Sequence, residues 1–349
     1  LPQAPQQFKQ LVMCSGFDRY FQIAKCLRDE DLRADRQPEF TQIDVEMAFV
    51  DEDDVFKVAE TMLQRIWHDG LGSSIGAPFE RLPHAEALER FGTDKPDLRI
   101  SWELSDFTHT LTDIGFGIFD AVVAADGRVR GIVVKGGTVL SRSRIDHYDE
   151  LAQEVGAKGV IWLKRTESGW SGPLAKVVGE ETSAELERTH GVEEGDLVFL
   201  VAGRDEETAP ALDLIRRRVA RELDAIDEDQ DRWLWITEFP LFHKDPETGL
   251  PVHAQHAFTM PVDPDPKRIH EDPFSVTARA YDIVYNGMEF ASGSIRCHFP
   301  EVQRAILAVT GLSDEEIEAR FGFLLEAFRY GALLFENRYQ EERNRWQEW

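Results

Sequence analysis

The sequence predicts an α+β fold: an antiparallel sheet flanked by helices and interrupted by a smaller inserted α+β module. Three observations predict it. A charged stretch, Arg28–Asp44, packs charged and amide side chains between the apolar runs Tyr20–Leu27 and Ile43–Phe49, as the loop and inner face of an antiparallel hairpin would. Asn286-Gly287 separates the runs Tyr281–Tyr285 and Met288–Cys297, and this dipeptide is a strong two-residue turn signal. Between the two hairpins, residues 116–231 alternate short apolar strands with helical stretches, which suits a compact α+β module.

Taken in order, the two flanks of the first hairpin read as buried strands. Val55, Val58, Ala59, Met62, Leu63 and Ile66 recur at helical spacing and predict a helix over about Asp53–Asp69. Pro83–Gly92 reads as a short helix, followed by a turn at Thr93–Asp97. In the module, strands are expected at Ile118–Ala124, Val129–Val134, Gly159–Lys164 and Leu197–Ala202, and helices at Arg144–Val155 and Ala209–Leu223. Trp233–Phe242 reads as one apolar strand, and Glu301–Val309 and Asp314–Tyr330 as amphipathic helices. The pattern divides the chain into three blocks, 1–115, 116–231 and from 232 onward.

Composition narrows the class. With 349 residues, 42% hydrophobic and 30% charged, the chain suits a globular protein with a large core. No apolar run approaches spanning length and no basic-plus-apolar leader opens it, so a cytoplasmic protein with no membrane partner is expected. Cys14, Cys26 and Cys297 show no metal-ligand spacing and read as buried free thiols. A net charge of −26 opposes non-specific binding to nucleic acid.

The charged stretch interleaves Arg28, Arg33 and Arg36 with carboxylates and ends on Pro38 and Phe40. Arginine recognises phosphate and carboxylate through paired donors, and a neighbouring aromatic offers a face for a base. Phe17–Phe49 closely resembles motif 2 of class II aminoacyl-tRNA synthetases, in the form found in bacterial-type aspartyl-tRNA synthetases. LPQAPQQFKQLVM (Leu1–Met13) resembles the substrate-binding segment before it, and RFGTDKPDLRI the segment that leads into the inserted domain. ARAYDIVYNGMEFASGSIRCHFPEVQ (Ala278–Gln303) is similar to the later active-site strands of that family. The resemblance implies a class II catalytic fold made of residues 1–115 and 232–332, with the bacterial insertion at 116–231 and an atypical tail at 333–349. It also implies an aspartate–tRNA ligase that forms aspartyl-adenylate from ATP and transfers the aspartyl group to tRNA.

The resemblance also assigns roles. Arg28 contacts the α-phosphate and the substrate carboxylate as the catalytic group, and Asp29, Glu30, Gln37, Phe40 and Glu289 help hold ATP, Phe40 by stacking on adenine. Lys9 and Arg296 take the aspartate side-chain carboxylate, with Gln6, Asp44, Gln255 and His256 around the same amino acid. Asp282 and Glu289 hold Mg2+ on the phosphates, the hard oxygen donors that this ion prefers. The partners implied are L-aspartate and aspartate-specific tRNA, with asparagine-specific tRNA left open, in a homodimer.

The sequence departs from the family at several points. Gln255 stands where the first of two adjacent histidines is usual, Ala4 where a serine is usual, and Ala291-Ser292-Gly293 where a glycine run is usual. Neither motif 1, nor an OB-fold anticodon domain, nor the Gly-Leu-Asp-Arg of motif 3 occurs in this stretch, which ends LLFENRYQEERNRWQEW. A truncated fragment or a non-catalytic paralogue that binds amino acid or nucleotide is therefore the alternative. Retention of Arg28, Glu30, Asp282, Glu289 and Arg296 opposes the paralogue.

Overall fold

A computed structural model of the protein describes residues 6–28 and 37–346, with side chains described to residue 330. It is an α+β molecule whose strands pair antiparallel in the ladders of its ribbons and five-stranded sheet. Contacts divide the chain into two compact units: Leu1–Glu80, Thr237–Asp282 and Ala291–Trp349 in the first, Arg81–Ile236 and Ile283–Phe290 in the second.

In the first unit, helix α1 (Gln6–Cys14) precedes the hairpin of β1 (Arg19–Leu27) and β2 (Glu39–Met47). The strands pair from Arg19 opposite Met47 to Leu27 opposite Glu39, and Arg28 N–H continues the ladder to the Pro38 carbonyl at 2.9 Å. The hairpin is therefore as expected, but its burial is not. Ala24 and Cys26 are buried, whereas Phe21, Ile23, Ile43 and Val45 are exposed. The reason is the period of two: apolar residues on both faces of a strand need cover on both sides, and this ribbon has two strands only.

Helix α2 (Glu52–Leu71) forms where the apolar spacing placed it. Asp51 and Asp54 make a reciprocal capping box at its start, and Gly72, left-handed at φ 66°, closes its end. Phe56 and Leu63 face inward, and the Glu60 carboxylate accepts the Phe79 N–H at 3.1 Å. Helices Pro300–Ala308 and Asp314–Trp346 pack a core of Phe258, Leu307, Ile317, Leu324 and Phe328 against Leu11 and Cys14.

The second unit is built on a five-stranded antiparallel sheet in the order Leu104–Asp106, Arg128–Val134, Leu197–Gly203, Ile161–Thr166, Gly169–Ser171. One face packs with helices Arg142–Glu154 and Asp205–Glu222 around Trp102, Tyr148, Phe199 and Ile215; the other buries Phe107, Phe119, Leu163 and Leu200. Two expectations need correction. Ile118–Ala124 belongs to a helix, Gly117–Ala124, because a short apolar run fits either element and here one face, Phe119, is what gets buried. The expected strand Trp233–Phe242 stops at Thr237, since Glu238 takes a left-handed φ of 58° and turns the chain before Phe242–Lys244.

A four-stranded sheet has the order Met288–Ser294, Ala280–Tyr285, Trp233–Thr237, Glu80–Pro83. Its first two strands meet at Asn286 (φ 48°) and Gly287 (φ 82°), the paired positive angles that an Asn-Gly hairpin turn requires.

Candidate active site

Helix α1 buries Gln6, Lys9, Gln10 and Met13, a stripe at helical spacing that is polar except for its last member. Burying amides and an ammonium is costly unless partners meet them, so such a stripe marks a constructed site and not a core. The partners come from β2, where the period of two puts Asp44 and Glu46 on one face. Lys9 Nζ contacts Asp44 Oδ1 and lies 2.9 Å from Glu46 Oε1. Gln6 Nε2 donates to the same Glu46 oxygen at 3.3 Å, and Arg296 Nη2 is 3.7 Å from it.

Arg296 is fixed from its other side. Its Nη1 donates to Ser294 Oγ at 2.9 Å, and Thr259 Oγ1 donates to that oxygen at 3.2 Å. Arg296 Nε is buried with no hydrogen-bond partner among the described residues, a donor that a ligand could satisfy. His256 stands nearby. Burial first, then the charges of Arg296, Lys9 and His253, push its imidazole down to about 4, although more than a third of its surface stays open. It is neutral at pH 7 and adds no third charge. A cavity of about 390 Å3 opens here, lined by Gln6, Phe8, His256 and Phe321 among others. Chemically, the cluster is a pair of clamped cations balanced by two carboxylates, ready for an anionic group.

The structure thus brings together Gln6, Lys9, Asp44, His256 and Arg296 of the expected residues. Arg28 lies at the neck of the hairpin with its guanidinium carbon 5.1 Å from the centre of the Phe40 ring, a cation–π contact on the face proposed for a base. Gln37 is exposed beside it, Asp29 and Glu30 lie outside the described residues, and Gln255 is half-buried next to His256. Asp282, on Ala280–Tyr285, is buried in the first unit. Glu289 belongs to the second unit, where it pairs with Lys95 at 3.1 Å. No cluster of three or more histidine, cysteine or carboxylate residues suited to a metal occurs among the described residues.

The sequence reading missed Glu46, Ser294 and Lys95. Glu46 was within reach of it, being two residues beyond Asp44 on the same strand face; Ser294 and Lys95 carry no local signal. Gly293, left in the shortened glycine run, is needed: a Cβ there would come 2.6 Å from the Tyr281 ring.

Residues 1–334 match the family model for tRNA synthetases class II (D, K and N). Among curated relatives, an aspartate–tRNA(Asp/Asn) ligase of Thermoanaerobacter sp. (strain X514) is 46% identical over 332 residues, 95% of this chain and 56% of the relative. An aspartate–tRNA ligase of Ruminiclostridium cellulolyticum is 45% identical with the same coverage. The chain thus spans little more than half the length of these relatives. A solved aspartyl tRNA synthetase from Entamoeba histolytica covers 95% of this chain and 45% of its own, at 15% identity and a TM-score of 0.42, too low to bear on the fold.

Proposed function

The chain belongs to the class II tRNA synthetases (D, K and N), and on that footing we propose that it carries the amino-acid activation site of an aspartate–tRNA ligase. The observation that carries this reading is the pair of cations, buried Lys9 and half-buried Arg296, held on one oxygen of Glu46. An L-aspartate side chain brings the carboxylate that such a pair is built to receive, while Asp44 is free to exchange its contact with Lys9 for the substrate ammonium. Asparagine would bring a neutral amide to these two cations in place of a matching charge, a mismatch that disfavours it by at least about 10^2-fold.

In the proposed reaction an oxygen of the aspartate α-carboxylate attacks the α-phosphorus of ATP. A P–O bond forms to give aspartyl-adenylate, the bond to the bridging oxygen breaks, and pyrophosphate leaves. Arg28 neutralises charge developing on the α-phosphate, with Phe40 freed from Arg28 to stack on adenine and Gln37 beside it. Asp29 and Glu30 are proposed as further ATP contacts. Glu289 has the carboxylate chemistry that Mg2+ takes and already holds a cationic group, the Lys95 ammonium, so it fits the ion; Asp282 is proposed for the same role from its carboxylate. Bound with ATP, Mg2+ would neutralise phosphate charge. Transfer to tRNA, a homodimeric enzyme and a cytoplasmic setting complete the proposal; no described helix is long and apolar enough to cross a membrane.

The test is aspartate-dependent exchange of pyrophosphate into ATP. Exchange is expected with this chain and is expected to fall by about 10^2–10^3 in Arg28→Ala, the range for losing one group that stabilises transition-state charge. Exchange that needs no aspartate, or that survives in Arg28→Ala, would overturn the reading.

A further inference from the structure

Lys95 has no part in the activation chemistry above, yet the second unit presents it to Glu289 by a construction rigid on both sides. On one side, the turn Thr93–Asp97 is pinned at its base. Lys95 N–H donates to Thr93 Oγ1 at 3.2 Å, and the buried Asp97 carboxylate accepts from Arg99 Nε at 3.0 Å and Nη2 at 2.8 Å. Arg216, itself buried, donates to the Asp97 carbonyl at 2.9 Å and to the Ile100 carbonyl at 2.7 Å.

On the other side, the hairpin turn is tied down by Asn286. Its Nδ2 donates to the Gln230 carbonyl at 3.1 Å, and its Oδ1 accepts the Arg232 N–H at 2.9 Å. The two turns touch: a Cβ on Gly287 would lie 3.0 Å from the Cβ of Asp97. Two residues from each point of contact, Lys95 Nζ meets Glu289 Oε2 at 3.1 Å, and both side chains keep about a third of their surface open, 30% and 33%. Solvent and ligands can therefore reach a pair whose backbone supports are fixed.

We infer that Lys95 is a built-in counter-ion of Glu289, which occupies that carboxylate until a divalent cation displaces it and so weakens metal binding in the absence of nucleotide. This rests on the reading of Glu289 as a metal-binding carboxylate. An ammonium at 3.1 Å stands where a hard cation would sit, and two cations competing for one carboxylate repel each other. Lys95 is a positioning residue: it keeps Glu289 oriented and charged while the site is without metal, and it raises the metal concentration needed to fill it.

The experiment uses the whole chain without nucleotide and titrates Mn2+, which takes the same oxygen donors as Mg2+, following the free-ion signal by electron paramagnetic resonance. Four proteins are compared: wild type, Lys95→Met, Lys95→Arg and Glu289→Gln. Removing the competing charge in Lys95→Met is expected to tighten Mn2+ binding by about threefold to tenfold, a modest gain because the pair is partly solvated. Lys95→Arg keeps the cation and is expected to bind as wild type does, which separates charge from folding. Glu289→Gln is expected to weaken binding at least about tenfold.

Unchanged or weaker binding in Lys95→Met, with Glu289→Gln weakened, overturns the counter-ion and leaves the metal assignment standing. Glu289→Gln binding as tightly as wild type overturns the metal assignment and the counter-ion with it. Absence of Mn2+ binding in both wild type and Lys95→Met has the same consequence.

Discussion

One oxygen of Glu46 faces Gln6, Lys9 and Arg296, so side chains from two distant segments, helix α1 and the stretch after Met288–Ser294, share a single acceptor. A carboxylate in that position does what the substrate carboxylate is proposed to do later: it compensates two neighbouring cations. His256 sits at the edge of this arrangement with its pKa pushed down to about 4 by burial and by the two cations. The sign of its effect on stability follows. Between about pH 6.5 and 4 the unfolded chain holds a proton that folded His256 does not, so this contribution to stability is lost as pH falls through that window. His256→Gln is therefore expected to lose less melting temperature between pH 7 and pH 4.5 than wild type. The difference is smaller than the shift alone implies, since the ring is partly solvated. Equal losses in the two proteins, measured by circular dichroism melts, would show that His256 is not held neutral by its surroundings.

At the scale of elements, the Asn286-Gly287 hairpin and helix α2 were legible because their signals are local: a turn dipeptide, and apolar residues recurring at helical spacing. Gly287 tests the first. Its φ of 82° and the 3.0 Å approach of a Cβ to Asp97 make Gly287→Ala strained twice over. A loss of about 1–3 kcal/mol is expected in urea denaturation, and a change under about 0.5 kcal/mol would contradict the turn geometry. Elements decided by distant partners were not legible. Ile118–Ala124 looks like a strand until Phe119 finds its place in a core, and Trp233–Phe242 looks continuous until Glu238 turns it. The β1–β2 pair was legible as a hairpin, but its exposed face was not, because period alone does not say which face finds cover.

For the molecule as a whole, a net charge of −26 coexists with a local focus of two cations, Lys9 and Arg296, held by Asp44 and Glu46. Global charge sets how the surface meets polyanions at a distance; a clamped pair of cations sets what is recognised at contact. Much of that focus could be read from the residues that resemble the family's motifs, and the structure gathers Gln6, Lys9, Asp44 and Arg296 from segments far apart in the chain. Glu46, which joins them, escaped because an acidic residue on a strand looks like any solvated carboxylate until its partners are seen. The measurement that bears most directly on the central claim is calorimetric titration of the chain with L-aspartate and, separately, with L-asparagine. The account predicts measurable aspartate binding and asparagine weaker by at least about 10^2-fold, as expected where a neutral amide replaces the charge that the two cations attract. Equal affinity for the two amino acids would mean that Lys9 and Arg296 do not read a side-chain carboxylate, and the proposed site would fail.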